Sequence, residues 1–215
     1  MSGSGRELLD RVRRGLASGE GENRLVELIA AGEAPREVFR LFAAEESRIV
    51  PSDQRSFLYL AARASEPGAR EFFAGLAAGE GIALGKLAAL ADATGLDEQT
   101  LKDYQPLSGC QTYPSFMAWM ALNGKPADIV VALNANFAAF GQYCATIAQA
   151  MREHYGFSDE ACGFFDFFGT PVPGADEQAA AIADSNETTG EAATYARLFQ
   201  DYELQFWNTI ADAVR

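Results

Sequence analysis

Apolar side chains along this chain recur with a helical period, and in four places the apolar face carries a polar group. In the closing stretch, residues 194–214, a 3.6-residue period puts Phe199, Glu203, Phe206, Trp207 and Ile210 on one face. Phe39, Phe42, Glu46 and Ile49 form a second such face, and Phe73, Leu76, Glu80, Ala83 and Leu87 a third. A fourth, Ile129, Leu133, Asn136, Phe140, Tyr143 and Ile147, holds an amide instead of an acid. A carboxylate buried bare costs several kcal/mol or more, so acids so placed must be hydrogen-bonded, paired or protonated. Four helices each turning one polar group inward predict a shared pocket inside a bundle.

The pattern predicts helices over 5–17, 22–31, 35–49, 52–65, 68–93, 97–102, 112–123, 126–155, 158–168, 175–187 and 190–213. Pro35 and Pro126 fall at first-turn positions, where the missing amide hydrogen costs little. Pro51 should break or kink the chain between the third and fourth of these helices. Gly95, Gly124 and Gly156 stand where helices should stop, and 169–174 reads as a loop. No alternating strand pattern, repeat or low-complexity tract occurs. The expected fold class is all-α, a single-domain helical bundle over 21–215 preceded by a leader and short helix over 1–20.

Composition narrows the function. The 215 residues carry a formal net charge of −13, which argues against nucleic-acid binding by phosphate neutralisation. The basic cluster Arg11, Arg13 and Arg14 lies beside Glu7 and Asp10 and reads as a solvated helix face. No run of eighteen apolar residues predicts a membrane span. The first seven residues lack a signal pattern and resemble a disordered leader, so a cytoplasmic location is expected. Cys110, Cys144 and Cys162 are odd in number and far apart, unlike a disulfide framework.

Several chemistries lack their residues. The one histidine, His154, sits near a helix C-terminus, where capping suits it. No Glu-x-x-His pair is available for a di-iron site, and no axial haem ligand is well placed, so neither metal nor cofactor is expected. Gly75, Gly79 and Gly81 lie in a helical run and read as close packing, not a phosphate loop. Cys110 precedes a helix whose dipole could lower its pKa, but no base adjoins it. Cys144 and Cys162 read as packing residues.

The ordered segments resemble the TenA (thiaminase II) family, which has the haem-oxygenase-like fold. Residues 35–46, Pro-Arg-Glu-Val-Phe-Arg-Leu-Phe-Ala-Ala-Glu-Glu, resemble its early helix, where an acid follows an aromatic stripe. Gln111-Thr-Tyr-Pro-Ser-Phe-Met resembles its Tyr-Thr-x-Phe-Leu segment, and 129–141 its Leu-Leu-Pro-Cys-Phe-Trp-x-Tyr helix. Residues 162–168 resemble a Trp-Ile-x-x-Tyr stretch, and Tyr202-Glu-Leu-Gln-Phe-Trp the closing Tyr-Glu-x-x-Phe-Trp. The last motif is specific by itself, and the match covers roughly 30–213.

The resemblance implies an aminopyrimidine ring bound in a helical pocket and cleaved or deaminated by water. It makes Glu203 the catalytic glutamate, Glu46 the acid that holds the ring, and Tyr113 a pocket tyrosine. Asn136 stands where the family has its nucleophilic cysteine, Phe140 and Phe168 replace tyrosines, and Ile49 replaces an aromatic hydroxyl. An asparagine cannot attack as a thiolate does. The expectation is a divergent TenA-like enzyme, with Glu203 as general acid/base and a small (hetero)aromatic substrate, either an aminopyrimidine or a more apolar compound of secondary metabolism. Glu46, Glu80, Tyr113 and Asn136 bind polar groups, and Phe140, Phe164, Phe168 and Phe206 form walls. Alternatives are a non-catalytic ligand-binding protein on the same scaffold, and metal-dependent oxidation. A homo-oligomer is expected from the family.

Overall fold

In the computed structural model, residues 4–17, 19, 21–185 and 188–214 are described, and these residues form ten α-helices and one 3-10 turn. In chain order the helices are α1 Gly5–Ala17, α2 Arg24–Ala30, α3 Glu37–Arg63, α4 Pro67–Ala93, α5 Glu98–Asp103, α6 Thr112–Asn123, α7 Pro126–Glu153, α8 Asp159–Gly169, α9 Ala175–Ser185 and α10 Ala192–Ala213. The all-α expectation therefore holds. Residues 186 and 187, the end of the helix expected over 175–187, lie outside the described residues.

Local chemistry sets most boundaries. Asn23, Asp97 and Ser158 each accept a backbone N–H three residues on, capping α2, α5 and α8. Proline opens α4 and α7 at positions whose amide hydrogen has no helical partner. Gly95 (φ +71°) and Gly156 (φ +65°) turn the chain left-handed after α4 and α7, a conformation that costs glycine nothing. His154 is the residue that ends α7, and its backbone N–H reaches the Ala150 carbonyl.

Four expectations need correction. Helix α3 runs unbroken through Pro51. The proline removes one backbone bond, but both flanks are anchored by buried side chains, from Phe42 to Val50 and from Phe57 to Leu60, and packing outweighs that loss. Ser4 and Glu7, within the stretch expected to be a disordered leader, form a reciprocal cap on α1: the Ser4 hydroxyl accepts the Glu7 amide while the Glu7 carboxylate accepts the Ser4 amide. Arg13 is no solvated residue: it grips Asp176 of α9 with two bonds of 2.6 and 2.7 Å and donates to the Asn134 carbonyl. Close packing explains Gly81, where an added Cβ would lie 3.1 Å from the Gln54 amide, but Gly75 faces open space.

The long helices α3, α4, α7 and α10 make the body of the bundle, with α3 and α4 paired as a hairpin. By length and composition α4 is apolar enough to cross a membrane, but Glu80 interrupts it and its Phe73, Ala83 and Leu87 pack into the protein. Buried apolar residues fall into two clusters. One gathers Phe39, Phe42, Ile49, Leu87, Cys144, Phe164 and Trp207, the other Phe57, Leu60, Phe73, Met117, Ile129, Leu133 and Ala196.

Candidate functional site

The polar groups lie along the seam between these clusters. On α3, Asp53 falls between Val50 of the first cluster and Phe57 of the second. On α4, Glu80 falls between Ala83 and Ala77; on α10, Glu203 between Phe206 and Ala196; on α7, Asn136 between Cys144 and Ala135. Four helices that each break their apolar stripe at the same level build a polar layer across the bundle. Glu46 lies two turns before Asp53 on the same face of α3.

Burial governs the charges here. Glu46, Asp53 and Glu203 are 4%, 6% and 8% exposed, and Glu80 is half-buried. Loss of water pushes Glu203 up to about 7, opposed by the hydrogen bond it accepts from the Trp207 indole at 3.2 Å. Asp53 likewise rises to about 7 through burial, with the neighbouring Tyr113 hydroxyl acting in the opposite direction. Glu80 rises to about 8 through burial and then through repulsion by Asp53. Glu46 is pushed well above the carboxylate range, first by burial and then by Asp53, Glu80, Glu45 and Glu203. The same four acids Glu46, Asp53, Glu80 and Glu203 raise the Tyr113 phenol, after burial, so that it stays a donor. Glu46 and Tyr113 both feel Asp53, Glu80 and Glu203, which puts these side chains within electrostatic reach of one another inside the bundle.

Aromatic rings pack beside these groups. Phe42 stacks on Trp207 with centroids 5.6 Å apart, and Phe206 meets Trp207 edge-on at 5.1 Å. Tyr113 contacts Phe199 and Phe206, while Phe168 bridges Phe140 at 5.3 Å and Phe164 at 5.0 Å. A pocket next to Glu203 and Asn136 is bordered by Tyr143, Gly21 and Leu204. The expected wall residues Phe140, Phe164, Phe168 and Phe206 thus belong to one connected set of rings.

Asn136 is less free than a ligand-binding amide needs to be. Its Nδ2 donates to the Ala132 carbonyl at 2.9 Å and to the Ala196 carbonyl at 3.1 Å, tying α7 to α10. Both amide protons are spent, and only Oδ1 is left for a ligand. The cysteines are not nucleophiles of the usual kind. Cys110 is fully buried, and burial, followed by Glu45 and Glu46, pushes its thiol up, the reverse of the lowering expected from a helix start. Cys144 is fully buried and also pushed up, and Cys162 is buried. His154 is exposed at the end of α7, away from the seam.

Two acids escaped the sequence reading. Asp53 sits beyond Pro51, where a broken helix was expected, and the stripe was not followed across the proline. Continuing the period from Glu46 by seven residues finds it. Glu45 is fully buried yet structural: it accepts the Tyr104 hydroxyl at 2.6 Å, the Leu107 amide at 2.7 Å and the Gln111 side chain at 3.2 Å. Among the described residues, no group of three or more His, Cys, Asp or Glu is arranged to hold a metal ion.

The fold has solved relatives. A TenA homologue from P. horikoshii OT3 superposes with a TM-score of 0.74 at 16% identity, covering 97% of this chain and 98% of that one. A domain of unknown function with a heme oxygenase-like fold from Shewanella denitrificans OS217 gives 0.71 at 14% identity, with 97% and 90% covered. A putative TenA-like thiaminase from Sulfolobus solfataricus P2 gives 0.63 at 11% identity, with 96% and 93% covered. At such identities the likeness shows the haem-oxygenase-like fold. No curated protein matches the chain. The TENA/THI-4/PQQC family profile matches residues 23–213, nearly the whole chain, and the protein belongs to that family.

Proposed function

We propose that this protein is an enzyme that transforms a small aminopyrimidine or other (hetero)aromatic compound in the polar seam, with Glu203 as the general acid/base. The observation that carries the reading is a buried carboxylate poised near 7, steadied by Trp207, beside a pocket and under a wall of aromatic rings. At neutral pH such a group is partly protonated and can both give and take a proton. Glu46 would hold a ring nitrogen or amine, and Oδ1 of Asn136 would accept one ligand proton. Phe140, Phe164, Phe168 and Phe206 would sandwich the ring and exclude water. Hydrolysis of an aminopyrimidine fits the family; without a thiolate at Asn136, covalent cleavage of thiamin through that position does not.

The decisive experiment is turnover of an aminopyrimidine panel by the wild type and by Glu203→Gln. Loss of turnover in a folded variant supports the assignment, and unchanged turnover removes it. A second reading, binding without chemistry, is favoured by the way Asn136 spends its amide protons on main-chain carbonyls. Ligand-induced stabilisation with no product by mass spectrometry would select it. The proposal further takes the protein as cytoplasmic, without nucleic-acid or membrane partners, and as a homo-oligomer. Exposed Leu58, Tyr59, Ile82, Trp119 and Leu122 supply apolar surface for self-association.

A further inference from the structure

The pocket beside Glu203 is too small for the ring proposed to react there. It measures about 20 Å³, room for one water, whereas sites for small molecules ordinarily offer roughly 300 Å³ or more. Its floor is Asn136 and Glu203, both buried, and its rim includes half-buried Leu204 and exposed Gly21. A ring therefore reaches Glu203 only if part of the lining gives way.

Most of that lining is fixed. Helices α7 and α10 pack against each other, which holds their backbones in place. Tyr143 meets Trp207 edge-on at 6.3 Å, Asn136 is tied to two main-chain carbonyls, and Glu203 accepts the Trp207 indole. Leu204 is different. Although a half-buried leucine on α10, it belongs to neither apolar cluster and packs against neither. It rests instead on Gly21, so closely that a Cβ added there would lie 2.5 Å from its Cδ2. Gln200, one turn earlier on the same rim, makes no hydrogen bond with a described residue. A leucine held this loosely can hop between staggered rotamers without moving the backbone.

We infer that Leu204 is the gate of the Glu203 pocket and Gly21 its seat, and that this pair selects ligands by size. With Leu204 on Gly21 the pocket admits water. With Leu204 turned toward solvent a flat ring can pass to Glu203, its outer edge against a glycine backbone that no side chain crowds. This rests on the pocket being the small-molecule site; it goes beyond that reading in naming the residues that decide what enters. Gly21 precedes residues 23–213, the part of the chain that the family profile matches, so family membership does not supply the seat.

The test is quenching of Trp207 fluorescence, which needs no substrate. Trp119→Phe leaves Trp207, hydrogen-bonded to Glu203, as the one tryptophan. The quenchers are acrylamide, a small open-chain amide, and succinimide, a flat ring. With the gate shut most of the time, access scales with the open fraction, so Leu204→Ala should raise succinimide quenching at least about threefold and acrylamide quenching less. Gly21→Ala evicts Leu204 from its seat and should act in the same direction. Leu198→Ala, an equal truncation on α10 outside the pocket, should leave both quenchers unchanged. The inference is overturned if succinimide quenching does not rise in folded Leu204→Ala, if acrylamide quenching rises as much, or if Leu198→Ala gives the same rise. Should Leu204→Ala fail to fold, Gly21→Ala decides by the same criteria. The readout is independent of turnover, so failure of the Glu203 acid/base assignment and failure of the gate are distinguishable.

Discussion

Glu45 and Glu46 are adjacent on α3 and both are buried, but the structure treats them in opposite ways. Glu45 accepts three hydrogen bonds from the 104–111 segment and so fastens that segment to the bundle. Glu46 makes no hydrogen bond with a described residue and faces other acids. The contrast extends through the molecule. Asp176 is gripped by Arg13 and Asn134, which hold its carboxyl well below the usual range. Asp53, Glu80 and Glu203 are all displaced upward. A buried acid with every lone pair engaged is holding the fold together. One stripped of water and left with few partners costs stability, a pattern that clusters at functional sites.

The contrast is sharpest at Glu203, where the largest effect is expected. Glu203→Gln keeps the shape and the reach to Trp207 but cannot exchange a proton, so turnover should fall by about 10²- to 10⁴-fold with the melting temperature held or raised. Steady-state kinetics with thermal melting checks both halves. A variant that keeps its rate would move Glu203 into the class of Glu45.

Titration should separate the two classes next. Burial raises Glu203 from 4.5 to about 7 and Asp53 from 3.8 to about 7. Below about pH 4 both are protonated folded and unfolded, and neither penalises folding. As pH climbs, the unfolded chain gives up its protons first, the native state holds more, and stability falls until the folded values are passed. Alone, Glu203 would cost roughly 3 kcal/mol and Asp53 roughly 4 kcal/mol once that window is crossed. Urea unfolding of the ligand-free protein at pH 5 and 8.5 should therefore give the lower stability at pH 8.5, with a smaller difference in Asp53→Asn. Stability that rises over this interval contradicts the unpaired state of the seam acids.

Substitution at the neighbouring pair comes third. Glu45→Ala leaves the Tyr104 hydroxyl, the Leu107 amide and Gln111 without their acceptor and should cost about 2 kcal/mol. Glu46→Gln removes a crowded acid and should leave stability unchanged or higher. Chemical denaturation of the two variants side by side reads the comparison directly, and equal losses would erase it. The smallest effect belongs to Arg13→Ala, which frees partly exposed Asp176 and should cost about 1 kcal/mol, less at high salt.

Much of this was legible in the residues. Helical periodicity, capping residues and prolines at helix starts are local signals, and the helices fall close to where those signals place them. Glu203, Glu46 and Asn136 stood out because a polar group inside an apolar stripe is visible along a single helix. Asp53 did not, because a local rule about proline cut its stripe in two. Glu45 did not either, because its donors are 59 to 66 residues away in the chain.

Taken alone, the order of side chains determined the all-α architecture and which faces turn inward, since period, caps and breakers act within a few residues. Only the packed bundle decided that the odd polar positions of four helices fall at one level between two apolar clusters. It alone decided which acids have partners: Arg13 reaches Asp176 across 163 positions and Tyr104 reaches Glu45 across 59. Desolvation and hydrogen bonding depend on neighbours in space, so two glutamates side by side in the chain can become a fastening and a proton-bearing group.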